Sequence, residues 1–519
     1  MQRLVAAARA GRVATALFAF AALAAPLAGS TAAAGPAATP DRPRPPDVVW
    51  IMTDDLDMQV FDSALQGGWL PHIQAEIIGK STRFPESFTA LPECCPSRTT
   101  YLTGQYPHNH GVLANVGPRG GFEHFDKDGS TLATWLHAAG YRTALVGKYL
   151  NGYGFSPKDH HGSYVPPGWD VWNALTSTLQ YKYFMSVDGV LRHYGHEEAD
   201  YQTDVVAKLA RDFVAGTKPG QPLFLTLTPT APHYEGAEEN DGEFIRPPQR
   251  YLDTPPLKRL PLEKWPSFNE ADMSDKPVWM RDAPLVDAVQ QRAGYNSRIA
   301  AMRAVDDLVG TVVSTLEQTG RISNTLLVFT SDNGYLYGAH RLTRKTELYE
   351  ESIRVPLYIR APGQTQARAS ATWAMNIDWA PTIVDYARAR PDIEMDGQSL
   401  RPSVEGDDRA QPGRRTLLVE HPNDGRVLDD HPAYDMIRSK DPVLTGDSSG
   451  KTVYVYAETY NRKDMLTDRE LYDLAADPYQ VESLARIPDE EIVAKMEAFA
   501  ARMAQLKACA GKTCRSLGR

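Results

Sequence analysis

The stretch Asp47–Asp55, "DVVWIMTDD", decides how this chain folds. Its centre, "VVWIM", is an unbroken apolar run with β-branched residues, which is typical of a strand buried on both faces. A strand of that kind needs cover above and below, as in a parallel sheet with helices on both sides. Two acidic residues close the stretch, at the carboxyl end of the predicted strand.

Later segments repeat this pattern. "STLATWLHAAG" followed by "YRTALVGK" predicts a helix, a glycine stop and a strand. "QPLFLTLTP" and "NTLLVFTSDN" are further apolar strands, and the second follows "NSRIAAMRAVDDLVGTVVSTLEQTG", whose apolar residues recur at helical spacing. The alternation predicts an α/β fold with a mostly parallel central sheet flanked by helices.

The composition divides the chain into successive parts. Residues 1–34 predict a signal peptide, because arginines precede an Ala-rich apolar run too weak to span a membrane. We therefore expect a secreted, extracellular protein without membrane association after cleavage. Residues 35–46 form a Pro-rich linker, 47–389 the main domain, and 390–519 a smaller α+β domain. In that last part "RTLLVEH", "AYDMIRSKD" and "KTVYVYAETY" predict an antiparallel sheet, followed by an amphipathic helix.

Charge and cysteine content narrow the class of protein. The sequence has 55 Lys and Arg against 65 Asp and Glu, a net charge of −10, and no basic run, so we expect no nucleic-acid partner. Its 4 cysteines are too few for a disulfide scaffold. The close spacing of Cys509 and Cys514 makes a local disulfide near the C-terminus the simplest pairing.

Polar side chains follow the predicted strands where each strand ends. They are Asp54, Asp55, Lys148, His233, Asp332 and Asn333. Singly, each has an ordinary alternative: a helix cap, a solvated lysine, a loop histidine or an Asn-Gly hairpin turn. Because ligands bind at the carboxyl ends of such strands, we expect these residues to form one site. Their carboxylate and amide oxygens favour Ca²⁺ or Mg²⁺ over Zn²⁺.

The stretch "CCPSRTTYLTG", Cys94–Gly104, adds a thiol pair to this picture. Pro96 fits a first helical position, and the helix then runs to the glycine. Cys94 would precede the helix N-terminus, where the dipole lowers a thiol's pKa and favours reactivity. The alternative is a disulfide or two buried thiols, although adjacent cysteines bridge each other poorly.

These motifs resemble the formylglycine-dependent sulfatase family of the alkaline-phosphatase superfamily. "CCPSRTTYLTG" matches its signature Cys-x-Pro-Ser-Arg-x-x-x-Leu-Thr-Gly, and "QYPHNHGV" and "GKYLNGYG" look most like the N-acetylglucosamine-6-sulfatase branch. The resemblance implies an alkaline-phosphatase-like fold and a sulfuric ester hydrolase. It also implies that a formylglycine-generating enzyme oxidises Cys94. One hydroxyl of the hydrated aldehyde then attacks sulfur, and the other loses a proton so that sulfate is released. Cys95 stands at the variable position, and we expect a buried structural thiol.

The resemblance also implies a role for individual residues. The expected ligands of Ca²⁺, or alternatively Mg²⁺, are Asp54, Asp55, Asp332, Asn333 and the modified Cys94. Arg98 is expected to polarise the formylglycine hydrate, Lys148 and Lys345 to bind sulfate, and His233 to act as general acid.

One position departs from the family pattern. Many members carry a histidine two or three residues after the first lysine, where this chain has Leu150 and Asn151. Asn151 can form hydrogen bonds there but cannot shuttle a proton as imidazole does. His340 lies after the Asp-Asn-Gly motif, and both a substrate-facing and a structural role stay open for it.

The function expected from these features is hydrolysis of sulfate monoesters on 6-O-sulfated N-acetylglucosamine-type sugars. The irregular segment Glu235–Asp287, with Trp265 and Trp279, is a candidate for the outer wall of the substrate pocket. The alternatives are a broad arylsulfatase acting on aryl sulfates, a related phosphoester or phosphonate hydrolase, and an inactive glycan-binding relative. The inactive relative is disfavoured because the chain has a suitable residue at every position where the family binds metal or sulfate.

Overall fold

The predicted first strand is present at Asp47–Thr53 (β1), and all 7 of its residues are buried. Its side chains alternate between two cores. Val49 and Ile51 pack into one apolar cluster, whereas Val48, Trp50 and Met52 pack into another on the opposite face of the sheet. This alternation explains why the run has no polar position, since neither face of the strand meets water.

A computed structural model describes residues 44–235, 244–410, 413–423 and 432–519 of the chain. The predicted signal peptide and all but the end of the Pro-rich linker lie outside the described residues. Within the described ranges, no helix is long and apolar enough to cross a membrane.

The described residues form these elements. The strands are β1 Asp47–Thr53, β2 Thr82–Arg83, β3 Ser87–Phe88, β4 Arg142–Lys148, β5 Val171–Leu175, β6 Phe184–Val187, β7 Val190–His193, β8 Leu223–Thr228, β9 Thr325–Ser331, β10 Leu336–Tyr337, β11 Thr343–Arg344, β12 Leu357–Arg360, β13 Arg368–Ala369, β14 Ala374–Met375, β15 Thr416–His421, β16 Ala433–Ser439, β17 Tyr454–Tyr460 and β18 Leu466–Asp473. The α-helices are α1 Met58–Gln66, α2 Cys94–Thr103, α3 Pro107–His110, α4 Leu132–Ala138, α5 Gln202–Ala215, α6 Val278–Arg281, α7 Ala288–Gln318, α8 Glu350–Ile353, α9 Trp379–Ala387, α10 Arg401–Val404, α11 Pro442–Thr445, α12 Glu490–Lys507 and α13 Lys512–Leu517.

The main sheet has 10 strands in the order β13-β2-β12-β9-β1-β8-β4-β5-β6-β7. Its centre, β9-β1-β8-β4-β5, is parallel throughout, and antiparallel pairs flank it at β12–β9 and β5–β6. Helices α1, α5 and α7 cover one face, while α2, α4 and α9 cover the other. The predicted α/β class and mostly parallel sheet are confirmed. The predicted long helix is also present, beginning at Ala288.

The C-terminal part contains the predicted antiparallel sheet. Its 4 strands follow the order β15-β16-β17-β18. Helix α12 buries Met496, Phe499 and Met503 against it, as its apolar spacing predicts. Residues Arg44–Arg519 form one compact unit. The domain boundary near residue 390 stays a prediction.

The predicted disulfide between Cys509 and Cys514 is present. Helix α3, which lies in the "QYPHNHGV" motif, holds the disulfide loop. His108 Nε2 lies 3.0 Å from the carbonyl oxygen of Cys509, and its Nδ1 lies 2.9 Å from Glu420 Oε1 on β15. Both partners accept hydrogen bonds, so the arrangement is complete only when both ring nitrogens of His108 carry a proton.

We expect His108 to stabilise the fold more at acidic than at alkaline pH. Burial lowers the pKa of His108, but Glu420 and the carbonyl of Cys509 outweigh this and raise the pKa above its ordinary 6.5. Because the folded-state pKa exceeds the unfolded one, the stabilisation is complete below about pH 6.5. It is lost as pH rises through the folded-state pKa.

Urea unfolding of the wild type and His108→Gln at about pH 5.5 and about pH 9 measures this difference. The substitution should lower the free energy of unfolding more at the lower pH, by on the order of 1 kcal/mol. His124→Gln, at an exposed histidine, is the matched control. An equal loss at both pH values would contradict the assignment.

Candidate active site

The predicted site residues lie at the ends of adjacent strands. Strands β9, β1, β8 and β4 are neighbours in the sheet. Asp54 and Asp55 follow β1, Lys148 ends β4, and His233 lies in the loop after β8. Asp332 and Asn333 follow β9. Parallel strands end at one edge of a sheet, so residues far apart in sequence meet there.

Cations hold the buried carboxylates. Lys148 Nζ lies 2.7 Å from Asp54 Oδ2, and Arg98 Nε donates to Asp332 Oδ2 at 2.8 Å. Lys345 Nζ contacts Asp55 Oδ1. Burial alone would raise the pKa of Asp54, but Lys148, His233, Arg98 and Lys345 together hold it well below its usual range. The pKa of Asp332 is instead raised to about 6, by burial and the charge of Asp54.

Cys94 lies at the centre of this cluster. Its Sγ is 3.3 Å from Asp54 Oδ1 and 2.7 Å from Lys345 Nζ. The predicted helix is present and ends at Gly104, which has a left-handed φ of 68°. The prediction that Pro96 opens it is wrong, because the helix begins at Cys94. Pro96 still lies in the first turn, where a missing N–H breaks no intrahelical bond.

The expectation of a low thiol pKa at Cys94 is also wrong. Cys94 is fully buried, and burial raises its pKa far above the usual value, with Asp54 adding to the effect. Lys148 and Lys345 oppose this shift but do not overcome it. The unmodified side chain is therefore a neutral thiol, not a thiolate. Cys95 is a free, buried thiol in the apolar core, as expected.

The ordinary alternatives for the acidic residues do not hold. Asp57, not Asp54 or Asp55, caps helix α1 by accepting a hydrogen bond from the Val60 N–H. Asn333 and Gly334 form no hairpin turn, since the strands before and after them, β9 and β10, belong to different sheets. Asn333 Nδ2 instead donates to Asp55 Oδ1 at 2.7 Å. A Cβ atom at position 334 would lie 2.1 Å from the carbonyl oxygen of Glu351, so this close approach requires glycine.

His233 lies at the edge of the carboxylates. Its Nε2 is 3.5 Å from Asp55 Oδ2, and its ring stacks on Tyr234 with centroids 4.5 Å apart. Nδ1 donates to the carbonyl oxygen of Tyr234, which can only accept. Burial lowers the pKa of His233 to about 4, against the opposing charges of Asp55 and Asp54.

His340 and Asn151 contact residues outside the carboxylate cluster. His340 is fully buried, stacks on Tyr349 at 3.8 Å between centroids and bonds through Nδ1 to Glu270 Oε2 at 2.6 Å. These contacts assign it a structural role. The Asn151 carbonyl accepts from the Phe122 N–H at 2.7 Å. Its Oδ1 is buried without a hydrogen-bond partner, so its predicted role at the site stays a prediction.

The sequence analysis missed residues that position the site. Arg298 on α7 is buried and donates to the backbone oxygen of Asp55 at 2.9 Å, while its guanidinium lies 3.6 Å from the ring centroid of Tyr335. Ser97 Oγ donates to the Asp332 backbone oxygen at 2.6 Å. The sequence feature that could have indicated Arg298 is a charged residue on the apolar face of a predicted helix.

The donor set fits a hard divalent cation. Ligand atoms of Asp54, Asp55, Cys94 and His233 all lie within 4.8 Å of one another. Asp55 Oδ2 is buried and accepts no hydrogen bond. Asn333 presents Nδ2 to Asp55. A cation could bind the amide oxygen of Asn333 only after the amide group turns over. Oxygen donors of this kind suit Ca²⁺ or Mg²⁺.

A cavity of about 990 Å³ opens beside Lys345. Its lining includes Tyr234 and Arg344, together with His421 and Arg462 from the part of the chain that forms the C-terminal sheet. Trp279 lines it as expected, whereas Trp265 lies elsewhere, against Tyr479 at 5.5 Å between ring centroids. The predicted role of Trp265 in the pocket wall is therefore wrong.

Known proteins share the sequence pattern and the fold of this chain. The sulfatase family profile matches residues 46–389, and a profile for the N-sulphoglucosamine sulphohydrolase C-terminal region matches residues 338–508. The chain is 30% identical to human N-acetylglucosamine-6-sulfatase, covering 92% of this chain and 87% of that protein. It is 30% identical to an arylsulfatase of Volvox carteri, with coverages of 90% and 75%.

A solved structure of a protein in complex with its substrate D-glucosamine-2-N,6-O-disulfate shares the fold. The TM-score is 0.68 at 22% identity, covering 91% of this chain and 98% of that one. The chain belongs to the sulfatase family and is a sulfuric ester hydrolase.

We expect a hard divalent cation to stabilise the folded protein through these carboxylates. After chelation, adding Ca²⁺ or Mg²⁺ should raise the free energy of unfolding by about 2.7 kcal/mol at a hundredfold excess over Kd. Thermal and urea unfolding measure the gain.

Asp332→Asn should weaken the cation response at least about tenfold in affinity, because it removes a carboxylate. Lys345→Ala is the matched control and should retain the response, since it removes a competing positive charge. A response to Zn²⁺ alone would contradict the prediction.

Proposed function

We propose that this protein is an exported, Ca²⁺-dependent sulfatase that acts on 6-O-sulfated N-acetylglucosamine-type sugars through a formylglycine at Cys94. The observation that carries the proposal is the position of Cys94. Its Sγ touches Lys345 Nζ and Asp54, and Lys345 also lines the large cavity. A nucleophile formed there faces both a cation site and the entering ester.

The proposed chemistry needs more than a thiol. A formylglycine hydrate supplies one hydroxyl to attack sulfur and a second whose deprotonation releases sulfate. A divalent cation held by Asp54, Asp55, Asp332 and Asn333 would polarise the reacting oxygens. Arg98, fixed by Asp332, holds the hydrate in place. Lys345, which contacts Cys94, and Lys148, which pairs with Asp54, stabilise charge that develops on the sulfuryl oxygens. The neutral thiol found for Cys94 supports this proposal, since it is a poor nucleophile as it stands.

We assign His233 to the leaving oxygen. With a pKa of about 4 the imidazole is neutral at pH 7. An entering sulfate ester brings negative charge next to the ring, which favours the imidazolium and so a proton on Nε2. That proton would pass to the alcohol as the S–O bond breaks. Asn151, whose Oδ1 has no hydrogen-bond partner among the described residues, is a candidate hydrogen-bond acceptor for the substrate.

The burial of Cys94 suggests when it is modified, and the N-terminal segment suggests export. Cys94 is fully buried, so we propose that a formylglycine-generating enzyme reaches it before the fold closes. The signal-like segment at residues 1–34 supports export, as does similarity to proteins named extracellular sulfatases.

The sugar assignment is supported by the comparisons and by the cavity. Human N-acetylglucosamine-6-sulfatase is similar over most of its length, and the cavity is large enough for a sugar. Trp279 and Tyr234 offer aromatic surfaces to a sugar ring. The arylsulfatase of Volvox carteri supports the second candidate, a broad arylsulfatase.

We expect formylglycine at Cys94 and not at Cys95. Hydrazide labelling of an active preparation, followed by peptide mass spectrometry, should place the label on Cys94. Cys94→Ala should be inactive but folded, because the change removes the nucleophile with little loss of packing. Cys95→Ala is the matched control and should keep the label. Label on Cys95 alone, or on neither residue, would refute the assignment.

We expect the sugar 6-sulfate to be the better substrate. Values of kcat/KM for N-acetylglucosamine-6-sulfate, galactose-6-sulfate, 4-nitrophenyl sulfate and 4-nitrophenyl phosphate should rank the first above the others by at least about tenfold. The sugar fills more of the cavity than the aryl ester does. An advantage for the aryl sulfate over both sugars supports the arylsulfatase, and an advantage for the phosphate supports a phosphoester hydrolase.

A further inference from the structure

We propose that Arg344, with Arg462 and Lys463, forms a second anion subsite that binds another sulfate or a carboxylate on the same sugar substrate. The inference rests on the proposed function, because it assumes that the cavity beside Lys345 receives the sugar. In the proposed function the scissile sulfate binds beside Lys345 and Cys94, whereas Arg344, Arg462 and Lys463 line the cavity.

The backbone conformation directs the side chains of Arg344 and Lys345 to different places. Arg344 and Thr346 both have left-handed φ values, 74° and 83°, on either side of the lysine. Lys345 is only 8% exposed and points to Asp55 and Cys94, whereas Arg344 is exposed. The two neighbouring cations therefore serve different places, one inside the cluster and one in the cavity.

Arg344 is held close to the reaction centre. Its guanidinium carbon lies 5.3 Å from the ring centroid of Tyr234, and that ring stacks on His233. The backbone of Arg344 pairs with Leu336 in the β10–β11 hairpin. A guanidinium in this position presents a planar pair of donors to a carboxylate or sulfate.

The β17–β18 turn brings further positive charge. Arg462 and Lys463 are exposed and line the cavity. Asn461 fixes the turn by accepting from the Lys463 N–H at 2.9 Å, and Asn423 Nδ2 donates to the Arg462 backbone oxygen at 3.0 Å. These hydrogen bonds fix the backbone of the turn at the edge of the cavity.

Among the described residues that line the cavity, more are positively than negatively charged. Its acidic lining residues, Glu93 and Asp468, are buried at 3% and 5% exposure, and Arg486 pairs with Asp468 at 3.1 Å. The whole chain carries a net charge of −10, so this cationic wall is a local feature. The cavity is also at the upper end of the usual range for ligand pockets, about 300–1,000 Å³, which leaves room beyond one sulfate group.

The test compares substrates that differ in one anionic group. N-acetylglucosamine-6-sulfate carries only the scissile group, glucosamine-2-N,6-O-disulfate adds a sulfate, and a disaccharide with a uronic acid adds a carboxylate. A matched disaccharide with the uronic carboxyl reduced is the neutral control. We expect at least one anionic substrate to exceed its neutral counterpart about tenfold in kcat/KM, and the pair that shows this identifies the group.

Arg344→Ala should remove that preference, with the loss appearing in KM and not in kcat, because the contact is equally present in ground and transition states. Arg344→Lys should restore part of it. Arg462→Ala tests the same subsite if Arg344→Ala fails to fold. Arg469→Ala is the control, since Arg469 lies on β18, just beyond the turn that carries Arg462, pairs with Glu458 at 3.4 Å and is absent from the cavity lining.

Each result has a distinct meaning. If the wild type hydrolyses no sugar sulfate, the proposed function fails, and this inference fails with it. If it hydrolyses the neutral and anionic substrates equally well, or if Arg344→Ala lowers both alike, only the second anion subsite is overturned.

Discussion

The site depends on one constraint: carboxylates that are fully buried at the end of the central sheet must be neutralised. Asp54, Asp55 and Asp332 have no exposure to water, and an unpaired charge there costs several kcal/mol. Their partners come from different places, since Arg98 lies on α2, Lys148 ends β4, and Lys345 follows β11. Every ion pair joins segments that are distant in the chain, so docking of these segments and formation of the site are one event.

Hydrogen bonds from other parts of the chain hold an unfavourable backbone beside these ion pairs. Asp55 has a φ of 62° and Thr346 a φ of 83°, conformations that cost non-glycine residues about 1–3 kcal/mol each. Arg298 bonds the Asp55 backbone oxygen, and Tyr434 on β16 donates to the Thr346 backbone oxygen at 2.8 Å. The C-terminal sheet therefore supports the segment that carries Lys345. Packing of that sheet is thus linked to the position of Lys345 beside Asp55 and Cys94.

Features that depend on local sequence patterns could be predicted before the structure. The apolar run before Asp54, the acidic residues at strand ends and the glycine that ends α2 predict the sheet and most of the cluster. The low thiol pKa expected for Cys94 was wrong because burial and the nearby Asp54 are properties of the folded chain. Arg298 was missed because a charge in an amphipathic helix is usually solvated. Trp265 was misplaced because which face a long irregular segment presents is set by contacts such as that with Tyr479.

The cluster at the strand ends and the cavity wall differ in how firmly the fold holds them. Groups at the ends of central strands are fixed by the sheet register, so they tolerate little change without loss of buried charge pairs. The cavity wall includes the β17–β18 turn and Arg344, whose side chain is exposed. Substitutions there leave Asp54, Lys148 and Arg98 paired, and a change in the sign of the wall's charge decides whether it attracts or repels an anion. Under the proposed function, this physical separation lets substrate choice vary while the cluster around Cys94 stays intact.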